Sequence, residues 1–229
     1  MLVAVLVIIG IIIKATANDS TEFRIRFDDK CKNLASCDFS IYVRENVPGP
    51  VYVYIHFENF FLNHRRVMRS VSKDQLRGLK VEDSKIETAC SGKTKNKDIG
   101  VTSYTFNPTA AVNADGPLNP CGIYASLYPK GRLRMTIDIL KISTLDDNGA
   151  VTGDLVLDTT NINYKNLRGN KYKITDDTKN ELWTNVEDPR FIEWMKPPMS
   201  SSFYKLWGVI NGELKKGNYK LTVTIGKLP

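Results

Sequence analysis

Strict alternation of apolar and polar side chains recurs along this chain and limits its fold more than any other feature. In Val51–Glu58, Val51, Val53, Ile55 and Phe57 share one face, while Tyr52, Tyr54, His56 and Glu58 share the other. Leu133–Ile142 sets Leu133, Met135, Ile137 and Ile139 against Arg134, Thr136 and Asp138. Asn218–Ile225 sets Tyr219, Leu221, Val223 and Ile225 against Lys220, Thr222 and Thr224. Successive strand side chains point to opposite faces, so these segments are strands with one buried face. Burial of one face belongs to antiparallel sheets, because the strands of βαβ units are apolar on both. Further strands are predicted at Glu22–Asp28 (Phe23, Ile25 and Phe27 on one face), Phe39–Arg44 and Gly153–Leu157. Val47-Pro48-Gly49-Pro50 is a rigid turn ahead of the Val51 strand. Val186–Met195 has helical spacing and is stopped by Pro197-Pro198. Lys80–Pro120 is polar, rich in Gly, Asn and Pro, and reads as a long loop insertion. With no repeat and no linker, the predicted fold is mainly β: an antiparallel β-sandwich with long loops and one short helix.

A content of 42% hydrophobic and 10% aromatic residues in 229 supports a packed core. The net charge of +7 is spread among 25 acidic residues. No block of five like charges occurs, which favours weak attraction to anionic membrane surfaces over a nucleic-acid groove.

Met1–Ile13 is an unbroken apolar run ended by Lys14. As a helix it would cover roughly 20 Å of the roughly 30 Å hydrocarbon core. Three readings stand: a signal peptide with Ala15-Thr16-Ala17 as cleavage site, a buried strand, or the exoplasmic end of a transmembrane helix. Asn18-Asp19-Ser20 is a glycosylation sequon, whereas Pro108 blocks the one at Asn107. Its closeness to the apolar run works against transfer. Cys31, Cys37, Cys90 and Cys121 lack zinc-site spacing and are accompanied by only two histidines, so disulfides are expected. Four cysteines allow three connectivities. Local pairing would close loops of about 7 and about 32 residues and contribute roughly 2–4 kcal/mol apiece.

No catalytic constellation can be assembled. Ser91-Gly92-Lys93-Thr94 ends like a phosphate-binding loop, but Glu87 occupies the required upstream glycine position. GxSxG, HExxH and GxGxxG are absent, and Asp28-Asp29 and Asp146-Asp147 read as solvated turns. No metal, cofactor or nucleic acid is expected, and the chain reads as a non-enzyme.

After the Val51 strand, Asn59-Phe60-Phe61-Leu62-Asn63-His64-Arg65-Arg66 sets three large apolar groups beside two amides, an imidazole and two guanidiniums. At least one Phe ring is expected in the core. One of Arg65 and Arg66 is expected to fork onto a carboxylate or carbonyls, making the segment an internal organiser first and a contact surface second.

Asn59-Phe60-x-x-Asn63-His64-Arg65-Arg66, followed by Ser72-x-x-Gln75-Leu76-x-Gly78, resembles a signature of the non-catalytic β-subunits of lipid-flipping P-type ATPases, the cell-cycle-control-protein-fifty family. Asn119-Pro120-Cys121-Gly122, Phe191-Ile192-x-Trp194-Met195, Phe203-x-Lys205-Leu206-x-Gly208 and Gly217-x-Tyr219 continue it in order, over roughly residues 10 to 225. Lys196 after Trp194-Met195, and Pro197-Pro198-Met199-Ser200 after that, depart from the family pattern.

The resemblance implies disulfides Cys31–Cys37 and Cys90–Cys121. It also implies that residues 1–17 end a truncated transmembrane helix and that residues 18–229 form one exoplasmic domain. A second apolar stretch is expected beyond Pro229. The implied function is that of an accessory subunit, a heterodimer partner of a phospholipid-transporting P-type ATPase in a membrane. It would lie on the lumenal or extracellular side and assist folding, exit from the endoplasmic reticulum and the transport cycle. The rival reading is a secreted or surface β-sandwich that binds carbohydrate or protein.

Overall fold

A computed structural model of the chain describes residues 21–31, 34, 36–129, 137–163 and 165–225. Met1–Ile13, Asn18 and the start of the Leu133 segment lie outside these. The chain divides into two compact units, Met1–Asn33 and Leu34–Pro229.

Within the first unit, residues 21–27 form no strand, which corrects the expectation for Glu22–Asp28. Alternation alone does not make a strand; a ladder partner is needed. Here Phe23 stays exposed, while Arg24 and Arg26 pair locally with Glu22 and Asp28. A turn follows, in which the Cys31 N–H donates to the Phe27 carbonyl at 2.8 Å.

In the second unit, β1 (Ser36–Val43), β6 (Gly217–Ile225), β3 (Ile137–Leu145) and β4 (Val151–Leu155) form an antiparallel sheet in that spatial order. β2 (Val51–Phe57) and β5 (Phe203–Ile210) form a two-stranded antiparallel sheet. The alternation is visible in β1, where Cys37 and Val43 are buried while Ser36, Asp38, Ser40 and Tyr42 are exposed. β4 starts two residues before its predicted position. The Asp146 carboxylate accepts from the backbones of Asn148 and Ala150 at 2.9 and 2.7 Å and fixes a tight hairpin from β3. One core joins side chains of both sheets. Val43, Ile142, Ile210, Leu214 and Tyr219 are buried together, with Ile41, Val51, Val53 and Leu221 packed on them. Each such side chain contributes about 1.5–3 kcal/mol of burial.

The sequence pattern does not predict β5. It pairs with β2 from Val51↔Ile210 to Phe57↔Phe203, with a bulge at Val53/Tyr54.

The described residues also hold five short α-helices, α1 (Arg65–Arg69), α2 (Lys73–Leu76), α3 (Asp83–Ala89), α4 (Ile123–Ser126) and α5 (Pro189–Trp194), and three 3-10 turns. The Lys80–Pro120 segment is therefore more than a loop, because it holds α3 and a 3-10 turn at Asn96–Ile99. The predicted helix at Val186–Met195 is shorter than its pattern. Asp188 caps it by accepting from Arg190 N at 2.8 Å, and Pro189 opens its first turn.

Candidate functional site

The chain leaves β2 through Asn59, a left-handed residue at φ +53° that turns the backbone. The Phe60 N–H then donates to the Ser201 carbonyl at 3.0 Å, tying the turn to the start of β5. The Phe60 ring joins an aromatic cluster with Phe57, Trp194 and Phe203, at centroid distances of 5.8, 6.1 and 6.3 Å. Leu62 is fully buried, whereas Phe61 is 63% exposed. Asn63 Nδ2 donates to the Met199 carbonyl at 3.2 Å. His64 caps α1, its Nδ1 accepting from the Arg66 backbone at 3.2 Å.

The Asn119–Gly122 segment is anchored from several sides. The Trp183 backbone N–H donates to the Asn119 carbonyl at 3.0 Å, and its indole N–H donates to the Pro120 carbonyl at 2.8 Å. Cys121 is joined to Cys90 by a disulfide. No cysteine is free among the described residues, and Cys31 and Cys37 are also oxidised. Gln75, 3% exposed, donates to the Leu118 carbonyl at 3.0 Å and accepts from the Cys121 N–H at 2.8 Å. Gly122 has φ +104°, conformational space that is open essentially to glycine alone.

Ser70 links the two motifs. It follows α1 directly, its hydroxyl accepts from Ile123 N at 2.9 Å and donates to Ser91 O at 3.1 Å, and its carbonyl accepts from Tyr124 N at 3.3 Å. α1 therefore lies beside α4. α4 is in turn held to α5, because Trp194 Nε1 donates to the Tyr124 carbonyl at 3.2 Å while the Tyr124 hydroxyl donates to the Trp194 carbonyl at 3.4 Å.

Lys205 closes the frame from β5. Only 5% exposed, it donates to the carbonyls of Glu193 at 2.9 Å, Trp194 at 3.1 Å, and Lys196. An ammonium at the carbonyl end of α5 satisfies the acceptors that a helix terminus leaves open and complements its dipole. Burial nevertheless pushes its pKa down to about 8, against the upward pull of Glu193. Burial likewise pushes the Tyr172 hydroxyl up to about 12.

The side chains of this frame are engaged with backbone groups. An open cleft of about 450 Å³ between α2 and α3 is lined by Ser72, Lys73, Asp74, Ser84 and Lys85, among others. Among the described residues, no group of three His, Cys, Asp or Glu could hold a metal.

A sequence profile described as the LEM3 (ligand-effect modulator 3) family / CDC50 family matches residues 13–226. The chain belongs to the CDC50 family. It is 26% identical to the ALA-interacting subunit 3 of Arabidopsis thaliana, covering 92% of this chain and 59% of that protein. It is 27% identical to the phospholipid-transporting ATPase accessory subunit LEM3 of Saccharomyces cerevisiae, covering 86% of this chain and 47% of that one. It is 24% identical to cell cycle control protein 50C of Macaca fascicularis, covering 94% and 67%. The chain thus spans roughly half to two-thirds of the length of these relatives.

In this CDC50-family chain the fold brings together Asn59, Phe60, Asn63, His64, Asn119, Pro120, Cys121, Gly122 and Trp194 as one connected frame. Met195 closes α5 as its last helical-conformation residue. Arg65 and Arg66 behave differently from the expectation. Both are exposed, and neither forks onto a carboxylate or carbonyl among the described residues. The helix turn that His64 caps projects them outward, so the organising role falls to Phe60, Leu62, Asn63 and His64. Sequence reasoning passes over Gln75, Ser70 and Lys205 as site residues. Gln75 and Lys205 carry a signal in the Ser72-x-x-Gln75 and Phe203-x-Lys205 runs, and Ser72 Oγ does cap α2 by accepting from Gln75 N at 3.3 Å; Ser70 carries none.

Proposed function

We propose that this chain is the exoplasmic part of a non-catalytic flippase β-subunit, which pairs with a phospholipid-transporting P-type ATPase. What carries the reading is the family match across residues 13–226, together with a relative whose own name is that of such an accessory subunit. In this reading, residues 1–17 end a transmembrane helix and residues 18–229 face the lumen or the cell exterior. The two sheets are then the layers of a sandwich, and Cys31 pairs with Cys37. An accessory subunit lying over its partner's exoplasmic loops shifts the partner's conformational equilibrium only by binding one state more tightly than another.

The test is co-purification of the full-length protein from its native membrane in mild detergent. A retained P-type ATPase, identified by mass spectrometry and phosphoenzyme labelling, is the expected result. Retention of glycans or secreted proteins with no ATPase overturns it.

One observation favours the rival carbohydrate-binding reading. Tyr52, Tyr54 and Tyr204 are exposed on the β2–β5 sheet, with His56 stacked 4.2 Å from Tyr204, and sugar rings stack on such faces. Glycan-array binding that is lost in Tyr54→Ala/Tyr204→Ala, with no ATPase retained by the wild type, would support it.

A further inference from the structure

We infer that the outer face of α1, with Phe61 and Met199 beside it, is the surface on which an acidic segment of the ATPase's exoplasmic loops docks. This inference rests on the pairing proposed above.

α1 is a five-residue helix with no buried residue and no acidic residue in its first turn. Helices this short do not persist on their own propensity. This one persists because His64 caps its start and Ser70 ties its end to α4. The frame thus holds up a turn that puts nothing into the core. What it displays is Arg65, Arg66 and Arg69, all exposed and none in an ion pair among the described residues. Elsewhere some surface cations pair with carboxylates, as in Lys97–Asp115, Lys141–Asp154 and Lys220–Asp38, and others, such as Arg44, Arg77 and Lys216, do not among the described residues; what sets α1 apart is three such arginines on one turn. The carboxylates flanking α1 in sequence, Glu58 and Asp74, precede the turn and belong to α2, and Glu58 lies 3.5 Å from His56.

The patch is apolar as well as basic. Phe61 is 63% exposed, Met68 41%, and Met199 fully exposed. The Met199 backbone is held to this turn by Asn63, so the three apolar side chains flank the arginines on a fixed frame. Arginine, methionine and aromatic residues are the types enriched at protein interfaces. A surface already held in place loses little entropy on binding.

Charge complementarity selects an acidic occupant, and the side-chain type selects a protein. A guanidinium fork matches carboxylate and phosphate alike, so it is the exposed Phe61, Met68 and Met199 beside the arginines, the mixture enriched at protein interfaces, that favours a protein over a bilayer. The occupant is therefore a loop that carries carboxylates next to apolar side chains.

The experiment uses the full-length protein co-expressed with the ATPase that the wild type retains. Three variants are compared: Arg65→Glu/Arg66→Glu/Arg69→Glu, the same three positions changed to Lys, and Phe61→Ser/Met199→Ser. The expected result is at least about tenfold less ATPase retained by the Glu variant at unchanged melting temperature, with partial retention by the Lys variant. The Phe61/Met199 variant should also lose retention. Wild-type retention by the Glu variant overturns the inference. So does a fall of more than about 5 °C in its melting temperature, which would make the arginines internal organisers. Undiminished ATPase retention, with loss of binding to phosphatidylcholine vesicles containing about one-third phosphatidylserine, would assign the patch to the bilayer and also overturn it. If the wild type itself retains no ATPase, the pairing fails and this inference falls with it. The wild-type arm separates that failure from failure of the surface.

Discussion

A Cβ added to Gly122 would stand 2.1 Å from the carbonyl oxygen of Ser70. The glycine is thus the point at which the Asn119–Gly122 turn can touch the end of α1 at all, and its φ of +104° strains any other residue independently.

Gly122→Ala should therefore destabilise the domain by at least about 2–3 kcal/mol. Gly149, at φ +82° with nothing within 4 Å of an added methyl, supplies the control. Its replacement by Ala should cost about 1–2 kcal/mol, the strain alone. Urea unfolding of the two variants checks the difference; equal losses would mean that Ser70 yields to the methyl.

Gln75→Leu removes the partners of two buried backbone groups, the Leu118 carbonyl and the Cys121 N–H. A loss of about 2–4 kcal/mol is expected, since each group left unpaired costs about 1–3 kcal/mol. Chemical denaturation measures it. A loss under about 1 kcal/mol would show that water reaches both groups.

Phe60 and Phe61 are neighbours with opposite roles. Phe60→Ala should cost about 2–4 kcal/mol through loss of its contacts with Phe57, Trp194 and Phe203. Phe61→Ala should stay within about 0.5 kcal/mol of wild type, because its ring is mostly in solvent. Reversal of the two values would contradict the placement of both rings.

Lys205 gives a pH dependence with a definite sign. Its folded pKa, pushed down to about 8 by burial, lies below the ordinary lysine value of about 10.4. Between these values the unfolded chain binds more protons than the folded one, so this group makes stability rise with pH. Unfolding of wild type and Lys205→Met between pH 7 and about 9.5 should therefore show wild type gaining on the variant above about pH 8. A constant gap would mean that the three carbonyl acceptors keep the ammonium charged throughout.

Strands are legible in the sequence wherever alternation is unbroken. β1, β2 and β6 can be read because one face of each meets a core and the other meets water, whereas β4, exposed except for the half-buried Leu155, is placed by its hairpin with β3. β5 is hidden by Lys205, a charge at an inward position that is tolerated only because a helix end, distant in sequence, supplies its acceptors. The Glu22–Asp28 pattern misleads for the converse reason, since alternation says nothing about whether a ladder partner exists. Of the site, the aromatic and turn-forming residues are readable as core and backbone devices. The outward direction of Arg65 and Arg66 is not, because it depends on how His64 caps α1 and where Ser70 anchors it.

The position of β6 in its sheet has a consequence for biosynthesis. It lies between β1 and β3, yet it is the last of the strands to be made. β1 emerges from the ribosome about 170 residues before its ladder partner, which at roughly 5–20 residues per second is a wait on the order of 10–35 seconds. Throughout that interval the backbone N–H and C=O groups along the β6-facing edges of β1 and β3 have no ladder partner. A nascent chain of this kind carries unpaired strand edges until β6 arrives, and such edges are open to pairing with other chains. Ribosome stalling just before Gly217 should leave it open to protease along β1, and release of a few more residues should close it.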